Sequence, residues 1–170
     1  FEIVKNHFGY IGLTGIKVLL LFLTFLLIFQ IIKLRGLKNT KLYNILFFFF
    51  AVNSMETILL SGVRCHSFTF LFFTLFLYLL ENARIKGNYK PLFFLPLIMI
   101  PWANMHGGSV SAVGLLLIYA AGEFLNKKPF KPYLYALIGV CAAFFINPYG
   151  FDYIKFLLRA TTMSRTMIAE

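Results

Sequence analysis

The sequence predicts an all-helical membrane protein, a single bundle of about six transmembrane helices. Hydrophobic residues make up 60% of the chain and charged residues only 13%, whereas soluble domains are nearer half apolar and a quarter charged. The apolar residues also form long blocks, such as residues 68–80. A soluble core of this size could not bury so many aromatic side chains. Basic residues, finally, collect in alternate connections between the blocks.

Each apolar block is read as one span, because about 20 helical residues cross the roughly 30 Å of hydrocarbon. The fourth block is short, and its prolines Pro96 and Pro101 are expected to kink the helix or loosen its end. Residues 151–159 mix apolar and charged side chains and predict an amphipathic interfacial helix. Because the chain begins with Phe1, we expect a fragment of a longer protein. The predicted spans are residues 13–32, 42–60, 66–80, 91–103, 108–125 and 133–146.

The basic residues predict which side each connection faces. Residues 33–41, 81–90 and 126–132 together hold ten Lys or Arg, whereas the connections after the second and fourth spans hold one, Arg64. Basic loops stay cytoplasmic, so these three are predicted to be cytoplasmic. This bias also explains the net charge of +10. We therefore expect the lipid bilayer as a partner and no nucleic acid.

Three polar turns fall on the opposite, outer side. They cover residues 64–66, 102–108 and 147–150. Polar side chains are costly inside an apolar region, so by default they indicate function. We expect the turns to meet in one pocket. The predicted substrate-binding residues are Arg64, His66, Trp102, Asn104, His106, Asn147 and Tyr149.

Each of these residues also has a structural interpretation. The planar fork of Arg64 suits a phosphate or carboxylate, or it extends to lipid headgroups. Glu56 is a candidate partner for Arg64 in a supporting ion pair. Trp102 is either an anchor in the aromatic belt or a surface that stacks on a sugar or lipid head. Asn147 is also suited to capping the turn, and Tyr149 to anchoring it at the interface.

The two histidines also leave alternatives open. His106 is either a hydrogen-bonding structural group or part of the substrate pocket, in a turn that Gly107 and Gly108 free from helix geometry. His66 and His106 could share a metal, but two ligands without a carboxylate partner are a weak metal signal. We therefore assign no metal ligand.

Four motifs follow one another along the chain: Arg64-Cys65-His66, Leu95-Pro96, Trp102-Ala103-Asn104-Met105-His106-Gly107-Gly108 and Asn147-Pro148-Tyr149-Gly150. In order and spacing they resemble bacterial membrane proteins of the GT-C glycosyltransferase superfamily. The resemblance is strongest over residues 62–150, and one position departs from it, because Cys65 stands where the superfamily has proline.

The resemblance implies transfer of a sugar from a polyprenyl-phosphate carrier at the outer face of the bacterial cytoplasmic membrane. It also implies a catalytic acidic residue in an earlier outer loop, often with a divalent metal. We expect both outside this sequence, so the catalytic residue here is unknown and no cofactor is assigned to this fragment. Two other functions remain open: a transporter or flippase of a lipid-linked or small polar substrate, and a non-catalytic membrane scaffold.

Overall fold

The computed structural model describes residues 2–36, 48, 65–150 and 152–162, and these residues contain helices and no strand. Two short 3-10 helices, Lys90–Phe94 and Gly107–Ser109, precede the α-helices Leu95–Met105 and Val110–Leu125. The predicted span 42–60, with Glu56, and the residue Arg64 lie outside the described residues. The helices are α1 Glu2–Leu34, α2 His66–Lys86, α3 Leu95–Met105, α4 Val110–Leu125, α5 Lys131–Phe144 and α6 Asp152–Thr162.

Three helical segments are long and apolar enough to cross a membrane: Asn6–Leu34, His66–Lys86 and Gly107–Leu125. They contain the predicted first, third and fifth spans, and they support the prediction of transmembrane helices. The helices α3 and α5 are shorter, at 11 and 14 residues. At 1.5 Å per residue they cover only about 16 and 21 Å.

Two helices extend beyond the predicted membrane spans. Helix α1 begins at Glu2, and it passes through a kink at Gly9, whose φ of 60° lies in the left-handed region. Helix α2 continues to Lys86, so the first part of the predicted loop 81–90 is helical, and it ends at Gly87, which is also left-handed. The predicted span ends before Glu81 because that residue is charged. The helix continues through Glu81, whose carboxylate is neutralised by Arg35 and Arg84.

The helices pack around a core of large apolar side chains. Close approach of α3 and α5 is possible because α5 carries a glycine at the contact. A Cβ on Gly139 would lie 2.7 Å from Cγ of Pro96, at the start of α3. The core residues without exposed surface come from α2 to α5 and include Phe76, Leu80, Leu95, Met99, Trp102, Leu116 and Val140.

The bundle has two polar ends. Helices α1 and α2 lie side by side and run in the same direction. Their parallel direction is evident from the ion pair between Arg35, just after α1, and Glu81, near the end of α2. We call this the ion-pair end, defined by Arg35, Glu81, Arg84 and Glu123. At the other end, α2 begins with His66, His106 follows the last residue of α3, and Asn147 follows α5. These three residues define the histidine end.

Candidate functional site

A polar cavity of about 340 Å³ opens at the histidine end between two turns. One turn follows α3, where His106 is extended and Gly107–Ser109 forms a single 3-10 turn into α4. The other turn follows α5. The cavity is lined by Ala103, Asn104, Met105, His106, Gly107, Asn147, Pro148, Tyr149 and Tyr153.

A chain of hydrogen bonds fixes the His106 ring. The indole N–H of the fully buried Trp102 donates to Oγ1 of Thr69 over 3.2 Å. That oxygen lies 2.8 Å from Nδ1 of His106, and the backbone N–H of Gly108 donates to the same Nδ1 over 3.0 Å. Gly108 must approach closely for this bond, since a Cβ there would lie 2.8 Å from Nδ1.

The Gly108 bond assigns the protonation state of His106. A backbone N–H is always a donor, so Nδ1 must be the unprotonated acceptor, and the neutral ring carries its hydrogen on Nε2. Burial of the ring, and secondly the charge of His66, lower the pKa of His106 below its ordinary value of 6.5. The two imidazole centroids are 4.5 Å apart. At neutral pH His106 is therefore a neutral ring, and its Nε2–H has no acceptor among the residues that the structure describes.

The two asparagines hold the turns in place. The side-chain amide of Asn104 donates to the carbonyl oxygens of Ile100 at 2.7 Å and Ile146 at 2.9 Å, and so ties the end of α3 to the end of α5. Asn147 donates to the carbonyl of Phe144 at 2.9 Å and accepts from the Tyr149 N–H at 2.8 Å. Asn147 thus caps the turn, whereas Oδ1 of Asn104 accepts no hydrogen bond from the described residues.

The structure brings six of the predicted residues together at the histidine end: His66, Trp102, Asn104, His106, Asn147 and Tyr149. Substrate binding by them stays a prediction. Trp102 needs a correction, because it was expected at a surface and has no exposed area. It packs against Phe72 and Phe76, with ring centroids 6.0 and 5.3 Å away. An indole can be buried in this way once its N–H has an acceptor, and Thr69 supplies it.

Sequence reasoning missed Thr69. It stands three residues after His66, on the same helix face, and that spacing was the available signal.

It also missed the network at the ion-pair end. Arg35 forms two hydrogen bonds to the carboxylate of Glu81, at 2.9 and 3.2 Å, and the hydroxyl of Tyr119 donates to the same group. Arg84 pairs with Glu123 at 3.1 Å and approaches Glu81 at 3.6 Å. The signal here was two carboxylates at the ends of apolar blocks, next to basic connections. The network joins α1, α2 and α4.

Within the part of the chain that the structure describes, no group of three His, Cys, Asp or Glu side chains could hold a metal ion. Comparison of this chain with protein-family models, curated proteins and solved structures finds no match. The chemical interpretation of the site therefore depends on its geometry.

Proposed function

We propose that this protein is an integral membrane glycosyltransferase of the GT-C type, which takes a sugar from a polyprenyl-phosphate carrier at the outer face of the membrane. The observation that supports the proposal is the polar cavity at the histidine end. Two turns about 40 residues apart in sequence, one of them carrying the Trp-to-Gly-Gly motif, line this cavity.

The geometry suits binding of the phosphate that leaves with the lipid. When the bond between the sugar carbon and the phosphate oxygen breaks, negative charge develops on that oxygen. The Nε2–H of neutral His106 is a donor for such an oxygen, and the His66 ring, 4.5 Å away between centroids, is a second polar group there. Arg64, two residues before His66 in the sequence, is a further candidate donor on sequence grounds alone. Donors fixed in advance stabilise developing charge without reorganising. Thr69 and Gly108 supply that fixation by holding Nδ1.

The charge distribution supports placing this cavity on the outer side of the bacterial cytoplasmic membrane, with the chain crossing it several times. Among the described residues, the ion-pair end has eight basic side chains against two acidic ones, Glu81 and Glu123. The end with more Lys and Arg is the cytoplasmic one. The histidine end then faces outward, where the carrier presents its sugar.

Transfer of a radiolabelled sugar from a polyprenyl-phosphate donor by the full-length protein tests the proposal. Loss of one transition-state hydrogen-bond donor costs about 10²–10³ in rate, so we expect His106→Ala to lose at least tenfold. His7→Ala is the matched control, because His7 is an exposed histidine of α1 that does not line the cavity. Equal transfer rates for both variants and the wild type would show that His106 does not take part in sugar transfer.

The other two functions make different predictions. A transporter or flippase needs a polar path between the two ends, but the described core between them is a layer of large apolar side chains such as Phe76, Met99 and Leu116. A scaffold needs no cavity at the meeting of the turns. Substrate uptake into vesicles by the full-length protein, with no labelled product, would favour the transporter.

A further inference from the structure

A second polar cavity system lies at the ion-pair end, far from the proposed sugar site. One cavity of about 630 Å³ is lined by Leu34, Arg35, Glu81, Arg84, Ile85 and Lys128. An adjoining cavity of about 220 Å³ shares Arg35, Glu81 and Arg84 with it and extends along α4 to Glu123.

The arrangement of charges in this cavity is layered. The side chains of Glu81 and Glu123 are only 2% and 4% exposed, whereas those of Arg35 and Arg84 are 51% and 42% exposed. The carboxylates thus lie beneath the guanidinium groups and hold them in place. The cavity surface therefore presents cationic groups, although two carboxylates, Glu81 and Glu123, lie below it.

Within the described ranges, these cations have donors that no protein group uses. Arg35 uses Nε and one terminal nitrogen on Glu81, and a guanidinium group has five N–H bonds in all. Arg84 uses Nε on Glu123 and one terminal nitrogen towards Glu81. Lys128 lines the same cavity and has no acidic partner among the described residues. Two guanidinium groups and one ammonium suit a phosphate, which accepts paired hydrogen bonds from arginine.

The lining also includes apolar side chains, which favour a lipid over a soluble phosphate. Leu34 and Ile85 line the larger cavity, and Ile118 lines the smaller one. Ile85 and Ile118 are 46% and 70% exposed, and both lie on helices that are long and apolar enough to cross a membrane. Their exposed faces suit an acyl chain that continues from the bound headgroup.

We propose that this cavity binds the phosphate headgroup of an anionic phospholipid, held by Arg35, Arg84 and Lys128, with the lipid's acyl chain against Ile85 and Ile118. Basic pockets between transmembrane helices on the cytoplasmic side recognise such headgroups. The buried carboxylates Glu81 and Glu123 are positioning residues for the arginines. The site is independent of sugar transfer.

Lipid retention by the full-length protein tests this proposal. The protein is reconstituted in phosphatidylcholine nanodiscs with and without phosphatidylglycerol, and the affinity for phosphatidylglycerol is measured by native mass spectrometry after release. Lys128→Gln is expected to weaken retention about fivefold, the loss expected for one basic residue near an anionic surface. Lys86→Gln is the matched control, because it makes the same charge change at an exposed residue of α2 that lines neither cavity. It should change retention less than twofold.

A double variant tests the arginine without leaving a buried carboxylate unpaired. Arg35→Gln combined with Glu81→Gln keeps the net charge and removes both partners, and we expect it to lose retention at least as strongly as Lys128→Gln. Equal retention of phosphatidylcholine and phosphatidylglycerol, or equal losses for Lys128→Gln and Lys86→Gln, would overturn the proposal. Displacement of the lipid by millimolar glycerol phosphate would overturn the lipid assignment in favour of a soluble phosphate ester.

Discussion

Replacing Thr69 by valine removes one hydroxyl and keeps the branched shape of the side chain. That hydroxyl accepts from the indole N–H of Trp102, which has no exposed surface, and it lies 2.8 Å from Nδ1 of His106. A buried donor left without an acceptor costs about 1–3 kcal/mol. Hydrogen bonds between membrane helices average about 0.6 kcal/mol, with a maximum near 1.7. Because the substitution leaves the buried indole N–H without an acceptor, we expect a loss near the upper end of the membrane range: Thr69→Val should lower the free energy of unfolding by about 1–2 kcal/mol.

Thr69→Ser is the matched control. It keeps the hydroxyl and loses one methyl group, which is worth about 0.8 kcal/mol when buried, and less here because Thr69 is only partly buried. The free energy of unfolding is measured by titrating the full-length protein in mixed micelles with sodium dodecyl sulfate and following circular dichroism.

A double-mutant cycle isolates the bond itself. In a Trp102→Phe background the indole N–H is gone, so Thr69→Val should cost at least 1 kcal/mol less than in the wild type, on the scale given above. If Thr69→Val and Thr69→Ser were equally stable, or if the cycle gave no coupling, the proposed role of Thr69 in permitting the burial of Trp102 would be refuted.

Four other substitutions, one of them a control, test other parts of the structure. Gly139→Ala should destabilise the bundle by about 1–3 kcal/mol through overpacking against Pro96. Gly114→Ala is the control, because a Cβ at Gly114 would meet open space and should not destabilise the bundle. The same unfolding titration measures both variants. Glu81→Gln should cost about 1–3 kcal/mol, less than a fully buried pair because Arg35 is half exposed. The lowered pKa of His106 means that the unfolded state binds more protons just below pH 6.5, so stability should fall as pH drops through that value; His106→Gln should flatten this slope.

The class of the protein and the grouping of its polar turns followed from the sequence alone. Apolar block length and basic connections are local signals, and they predicted three segments that coincide with the candidate membrane-crossing helices. The alternation of spans implied that His66, His106 and Asn147 share one end of the bundle. The structure places them there.

Contacts between distant residues could not be predicted in the same way. Thr69 accepts from Trp102 across 33 positions, and Arg35 reaches Glu81 across 46. No periodicity or composition encodes such pairings. Consequently Trp102 was expected at a surface, and Glu81 was read as the beginning of a loop instead of part of α2. The glycosyltransferase chemistry stays a prediction, because it depends on a resemblance between motifs.

Cysteine labelling from outside the cell measures which end of the bundle faces outward. Single cysteines are placed at Tyr149, which is 71% exposed at the histidine end, and at the exposed Lys128 of the ion-pair end. The native cysteines of the full-length protein, including Cys65 and Cys141, are first replaced by alanine. A membrane-impermeant maleimide added to intact cells should label Tyr149→Cys at once and Lys128→Cys only after the membrane is permeabilised. Labelling of both positions from the same side, or the reverse pattern, would contradict an outward-facing sugar site.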